Sequence, residues 1–154
     1  MRKKGLSPVI ATVLLVAMVV VIGLIVFLWI RGFIEEPITK FGDKNIKLVC
    51  ADVQFEASYS GGDIYLSNLG NVPIFKVKLK IFNAKSHSTE DLSELLDDWP
   101  AEGLIQGSVI SGDIYSKVIG AEKIILIPVL LGNSKEGKKT FTCEEQYGYE
   151  IILE

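Results

Sequence analysis

The chain has little of what enzymatic chemistry requires. Its 154 residues include one histidine, His87, in a polar stretch, and two cysteines with no C-x-x-C pair. A zinc site therefore lacks a ligand set, and a dithiol redox motif is absent. No G-x-S-x-G elbow, Walker A motif or G-x-G-x-x-G loop occurs. We predict that the protein is not an enzyme and that it uses no cofactor and no metal.

Acidic pairs are present, but none has the spacing of a calcium-binding loop, so we interpret them as solvated surface groups. They are Glu35-Glu36, Glu90-Asp91, Asp97-Asp98 and Glu144-Glu145. The net charge is −3, and it falls to −6 once the three cations of residues 1–5 are left out. An acidic remainder argues against nucleic acid as a partner. No N-x-[ST] sequon occurs, so sequon-directed glycosylation is not expected.

One long apolar run stands near the N-terminus. From Leu6 to Ile30 there are 25 residues without a charge, and about 20 suffice to cross a bilayer as a helix. The run exceeds the 7–15 apolar residues of an ordinary secretory signal, and no small-x-small cleavage site follows it. Ser7 suits an N-cap, Pro8 suits the first helical turn, and Pro37 ends the helix. These features predict a retained helix over residues 6–35.

The charges that flank this run indicate its orientation. Arg2, Lys3 and Lys4 precede it, whereas Arg31 is followed closely by an acidic pair. The denser basic cluster stays in the cytoplasm. We therefore expect a single-pass membrane protein whose C-terminal part lies outside the cell.

The opening stretch, KKGLSPVIATVLLVAMVVVIGLIVFLW, resembles the N-terminus of archaeal type IV pilin-like proteins, a group that includes adhesive pilins and archaellum subunits. In that family a prepilin peptidase cuts a short basic leader after its glycine, at the cytoplasmic face. The resemblance implies that residues 1–5 are a leader and that the cut separates Gly5 from Leu6. Lys3 and Lys4 match the basic pair before the cut. Bacterial pilins usually carry a glutamate where this chain has Ile10.

What the resemblance implies for function is structural. The retained helix of such proteins waits in the membrane and then packs into the core of a helical filament, so the expected partners are the membrane, further copies of the chain, the prepilin peptidase and the pilus assembly machinery. The alternative is a single-pass anchored extracellular binding module, or a minor pilin, that does not itself polymerise. An uncleaved anchor explains the charge and the length equally well, but it explains neither the short leader nor Gly-Leu-Ser-Pro.

Beyond the helix the pattern changes to short strands. Residues 36–45 are rich in charge and turn formers and predict a connector. In residues 46–154, alternating segments bounded by turn signals predict strands. These segments are VCADVQFEASY, DIYLSN, PIFKVKLKIF, SVISGDIY, KIILIPVLL, KTFTC and YGYEIILE. About seven strands in a domain of this size predict an immunoglobulin-like antiparallel β-sandwich, an architecture frequent in external domains of the family that the N-terminus resembles.

Two segments of this domain give more specific predictions. In PIFKVKLKIF, Val77, Leu79 and Ile81 share one face, which we expect to be buried. The alternate residues Lys76, Lys78 and Lys80 should be exposed. In STEDLSELLDDWP we predict one short helix, capped by Ser88 or Thr89 and ended by Pro100, whose inward residues are Leu92, Leu95 and Leu96. The fold class is therefore α+β, with a long N-terminal apolar helix before the sandwich.

The two cysteines fall in different predicted strands, Cys50 in the first and Cys143 in a late one. Outside the cell both would face an oxidising space, which favours one disulfide. Two separate buried thiols are the alternative. A bond would close a loop of some 90 residues and stabilise the fold by about 4 kcal/mol on chain-entropy grounds.

Overall fold

The computed structural model describes residues 8–33 and 38–154. The chain divides into two compact units, residues 1–36 and residues 37–154. The described part of the first unit, residues 8–33, is one long helix, and the second unit contains two antiparallel β-sheets. The α+β class expected from the sequence is confirmed.

Helix α1 spans Pro8–Phe33. Proline is tolerated at its start because the N–H that proline lacks has no partner within the first helical turn. The hydroxyl of Thr12 donates to the carbonyl oxygen of Val9 at 2.9 Å, so this polar group is satisfied within the helix. Residues Pro8–Ile30 are long and apolar enough to cross a membrane. The predicted N-cap Ser7 and the predicted helix end near residue 35 lie outside the described residues.

The second unit is built from short elements. Its strands are β1 (Thr39–Lys40), β2 (Lys44–Asn45), β3 (Phe55–Ser60), β4 (Asp63–Asn68), β5 (Lys76–Phe82), β6 (His87–Asp91), β7 (Val109–Asp113), β8 (Lys123–Ser134), β9 (Gly137–Thr142) and β10 (Tyr149–Ile152). Its helices are α2 (Ile46–Cys50), α3 (Leu92–Leu95), α4 (Tyr115–Val118) and a 3-10 turn at Glu145–Tyr147.

Strand β8, twelve residues long, organises the larger sheet. Strand β5 pairs with one edge of β8 over residues 123–129, and β1 follows on the same edge at Asn133. Strands β10 and β9 share the opposite edge and pair with residues 123–126 and 129–134. Strand β6 extends the sheet beyond β5, and β2 extends it beyond β1. The smaller sheet has the order β3-β4-β7.

The strand order agrees with the predicted immunoglobulin-like sandwich. A constant-type immunoglobulin domain places its first, second, fourth and fifth strands in one sheet and its third, sixth and seventh strands in the other; here the fourth main strand, β6, joins the second sheet instead. Here β3, β4 and β7 form the first group, while β5, β8 and the β9–β10 edge form the second, with β6 added beside β5. Seven main strands result if β9 and β10 count as one interrupted strand and the two-residue β1 and β2 are left out.

The main core lies between the two sheets. It combines inward side chains of the small sheet, such as Ile64 and Leu66, with those of the large sheet, such as Leu79 and Leu126. A second, smaller cluster surrounds the two cysteines and consists of Ile46, Val49, Cys50, Val72, Leu130 and Cys143. Both clusters lie within residues 38–154, so this unit has the core of an independent domain.

The face of β5 that is buried is the one predicted from the sequence. Val77, Leu79 and Ile81 are fully or almost fully buried. The lysines on the opposite face are half-buried, however, and not exposed as predicted. Their stems lie along the outer face of the sheet, and two of the ammonium groups reach acids on neighbouring elements. Lys76 lies 3.4 Å from Asp91, and Lys80 lies 2.7 Å from Glu145.

The first strand was predicted to begin at Val49, but the structure begins it only at Phe55, so the prediction is wrong for residues 49–54. Residues 46–50 form the short helix α2, in which the side chain of Asn45 accepts a hydrogen bond from the backbone N–H of Lys47. Ile46, Val49 and Cys50 are buried on one helical face. The apolar residues of this stretch fit a period of 3.6 as well as a period of 2, and the N-cap together with tertiary burial favours the helix.

The predicted helix in STEDLSELLDDWP is shorter than expected. Residues Ser88 and Thr89, the predicted caps, belong to strand β6, and Asp91 caps α3 by accepting from the backbone N–H of Ser93. Helix α3 ends at Leu95, before Pro100 can act. Pairing of β6 with β5 holds residues 87–91 extended, so a long-range sheet contact delays the helix start.

Within the predicted connector, β1 and β2 form a two-residue hairpin. Its tip, residues 41–43, carries Phe41 at a φ of 54° and Gly42 at a φ of 86°. The hairpin joins the large sheet through the pairing of Thr39 with Asn133.

Candidate functional site

The predicted processing residues Lys3, Lys4, Gly5 and Leu6 lie outside the described residues. The helix that follows them is described from Pro8 onward. Each large apolar side chain of Pro8–Ile30 is at least half exposed, from 50% for Ile10 to 69% for Trp29. Because apolar groups surround the helix on all sides, no single face is distinguished as the one that packs. Such a surface suits apolar surroundings on every side.

The structure joins Cys50 to Cys143 by a disulfide. Cys50 ends α2, and Cys143 directly follows β9, so neither lies inside a strand as predicted. Both are almost fully buried within the smaller cluster. The bond closes a separation of 93 residues, and it fixes α2 to the chain at the end of β9, opposite Pro128 of β8.

The loops at residues 68–72 and 104 are joined by a buried asparagine that the sequence analysis did not predict. Asn68 is fully buried. Its side-chain amide donates to the carbonyl oxygens of Val72 and Leu104, and its carbonyl oxygen accepts from the N–H of Gly70. The sequence NLGN indicated a turn, and Asx side chains often bind the backbone two residues on. That signal points to the Gly70 contact but not to the contact with Leu104, 36 residues away.

His87 begins the edge strand β6 and is exposed. Its ring stacks on the ring of Phe82, with centroids 5.9 Å apart. The ammonium groups of Lys80 and Lys123 lie 5.0 Å from the same Phe82 centroid, and these cations make the surroundings of His87 unsuited to a metal ion. Among residues 8–33 and 38–154, no three His, Cys, Asp or Glu side chains cluster as a metal site requires.

The two ends of the sandwich differ in what they expose. We call the end that carries β1, β2 and α2 the basal end, and the end that carries the turns at residues 61–62 and 83–86 the distal end. At the basal end an open cleft of about 730 Å³ has Phe41, Lys44, Asp52 and Leu69 among its lining residues. Lys44 and Asp52 form an ion pair across it.

Lys40 links the hairpin to the sheet at this end. Its ammonium group donates to the carbonyl oxygen of Leu131 at 2.8 Å and lies 5.5 Å from the centroid of the Phe41 ring. Burial lowers the pKa of Lys40 from its ordinary value, because desolvation disfavours the charged ammonium. The contacts hold the base of the hairpin in place while its tip projects into solvent.

No protein-family model and no curated protein matches the chain. Among solved structures, one described as "X-ray structure of Northeast Structural Genomics Consortium target SoR45" is similar over 68% of this chain and 89% of its own chain. The identity is 11% and the TM-score is 0.33. Similarity this low identifies neither a shared topology nor a shared function.

Proposed function

We propose that the protein is a structural subunit of an archaeal type IV pilus-like surface filament. It is cut after Gly5, its helix forms part of the filament core, and its sandwich faces outward. The observation that supports this most strongly is the helix surface, in which 18 large apolar side chains between Val9 and Ile30 are at least half exposed. Burying each of them contributes about 1.5–3 kcal/mol, so the helix requires lipid or neighbouring helices on every side.

The arrangement of the chain supports the same role. A helix with no buried side chain in Pro8–Ile30 precedes a domain that has its own core and disulfide. Disulfides persist in oxidising compartments, which agrees with an external sandwich. The sequence contains none of the catalytic motifs considered above, which agrees with a structural role.

Release of the helix from lipid is then coupled to assembly. A soluble full-length monomer would expose the whole apolar helix to water, which the energies above forbid. Neighbouring copies must therefore cover the helix as it leaves the bilayer. The processed protein should exist either in the membrane or in a filament.

N-terminal sequencing of native surface material tests this proposal. We expect it to begin at Leu6, and electron microscopy of the same material should show filaments. Replacing Gly5 by isoleucine should block the cut, because a bulky side chain hinders close approach to the Gly5 carbonyl, and a membrane-bound precursor should accumulate. Ser7→Ala is the matched control, since it weakens helix capping but leaves the cut site intact.

Two outcomes would overturn the proposal. Surface material that begins at Met1 or Arg2, without filaments, would favour the single-pass anchored binding module. Equal processing of wild type and Gly5→Ile would show that the leader is not recognised as the resemblance implies.

A further inference from the structure

Phe41 occupies an unfavourable backbone position in solvent. Its φ of 54° lies in the left-handed region, which a bulky residue adopts at a conformational cost and which asparagine or glycine adopts readily. The side chain is 61% exposed and belongs to neither core cluster. Strained residues of this kind concentrate at functional positions. The fold therefore retains a large apolar ring at the hairpin tip that core packing does not explain.

Two further apolar side chains are exposed at the basal end. Leu69 lines the same cleft and is 50% exposed. Leu48 is 62% exposed on the solvent face of α2, one turn before Ala51, which also lines the cleft. We call Phe41, Leu48 and Leu69, together with the lysines of residues 38–52 and 133–139, the basal surface.

The lysines of the sandwich are concentrated on this surface. Six of the twelve lysines in residues 38–154 fall in residues 38–52 and 133–139, with only three of the seventeen acids. These two segments therefore carry a net charge of +3, while the rest of the sandwich carries −8. The pairing of Thr39 with Asn133 and of Asn133 with Lys138 brings the segments together.

The order of the chain places this surface first after the helix. Strand β1 is the first strand of the sandwich, and four residues, 34–37, stand between Phe33 and Ile38.

We propose that the basal surface docks onto an anionic lipid bilayer. Phe41, Leu48 and Leu69 enter the headgroup region, and exposed lysines of the two segments, such as Lys47 and Lys138, bind lipid phosphates. Exposed aromatic and aliphatic side chains among lysines are the combination that binds membrane interfaces, with apolar insertion and attraction to anionic lipid acting together. This docking goes beyond filament formation and does not depend on it. It gives the unassembled sandwich a defined orientation on the membrane.

Vesicle sedimentation of the oxidised sandwich, residues 38–154, tests the docking. We expect binding to phosphatidylcholine vesicles that contain about one-third phosphatidylglycerol, and little binding to phosphatidylcholine alone. Salt at about 1 M should release the protein, since the Debye length falls to about 3 Å. Phe41→Asn should weaken binding about tenfold, because it removes the ring while suiting the left-handed backbone. Lys47→Gln should weaken binding about fivefold.

Matched controls lie at the distal end. Tyr115 is 60% exposed there, and Lys85 is exposed in the β5–β6 turn. The twelve residues of β8 separate the two ends by about 36 Å. Tyr115→Asn and Lys85→Gln should leave vesicle binding unchanged, and thermal unfolding of every variant should show that the sandwich is intact.

The full chain in lipid nanodiscs provides a second readout. Hydrogen exchange of residues 39–50 should be slower in anionic nanodiscs than in neutral ones, because the helix tether raises the effective concentration of the basal surface at the lipid. Absence of anionic-lipid dependence in both experiments would overturn the proposal. Lipid-free self-association of the sandwich that Phe41→Asn abolishes would also overturn it, in favour of a contact between copies. Neither result bears on whether the leader is cut or filaments form.

Discussion

Replacing Asn68 by alanine should destabilise the sandwich by about 2–4 kcal/mol. The side chain makes three hydrogen bonds in a site without solvent access. Each hydrogen bond contributes about 0.5–1.5 kcal/mol net, and a buried group left without a partner costs about 1–3 kcal/mol. The total loss of stability depends on whether each former partner of Asn68 keeps another hydrogen bond in the variant.

Two of the three partners keep a second hydrogen bond. The carbonyl oxygen of Leu104 also accepts from the N–H of Ile74, and the N–H of Gly70 also donates to Gln54. Among the residues that the structure describes, the carbonyl oxygen of Val72 accepts from Asn68 alone. One orphaned carbonyl and two weakened contacts account for the lower part of the range, and the cavity left by the amide adds the remainder.

Urea unfolding of the oxidised sandwich provides the measurement. The midpoint should fall by about 1–2 M at an unchanged slope. Asn71→Ala, in the same loop but exposed, should change stability by at most about 0.5 kcal/mol. Asn68→Asp should be at least as harmful as Asn68→Ala, because a carboxylate would face two carbonyl oxygens. If Asn68→Ala behaved like Asn71→Ala, the assignment of Asn68 as the link between these loops would be refuted.

The remaining predictions concern the disulfide, the core and one close packing contact. Replacing both Cys50 and Cys143 by alanine should lower the free energy of unfolding in urea by about 4–5 kcal/mol, as expected for a disulfide that closes a loop of 93 residues. A loss below about 1 kcal/mol would contradict the stabilising role of the disulfide. Leu79→Ala should cost about 2–5 kcal/mol, whereas Lys78→Ala, which removes only a half-buried stem, should cost about 0.5–1 kcal/mol; equal losses would show that the phase of β5 is misassigned. Gly132→Ala should lower the free energy of unfolding by about 1–3 kcal/mol, because a Cβ at this position would lie 2.5 Å from Ile38 and 2.8 Å from Ile46. Hydrogen exchange in β1 and α2 should then be faster than in the wild type. Unchanged exchange would argue against this packing.

The sequence alone determined those features whose cause is local. The apolar helix follows from composition, because an uninterrupted run of this length needs no tertiary contact to define it. The buried face of β5 follows from strict alternation. The helix at residues 46–50 was misread because its apolar residues satisfy two periods at once, and the cap at Asn45 with burial against β8 favours one of them.

Tertiary structure decided whatever joins distant segments. Strands β9 and β10 share one edge of β8, the amide of Asn68 reaches Leu104, and residues 38–52 meet residues 133–139 to form the basal surface. Local propensity does not predict such pairings, because each pairing depends on which strands become neighbours once the chain has closed long loops. The sequence contained all six lysines of the basal surface, but only the pairing of β1 and β9 with β8 brought residues 38–52 and 133–139 together.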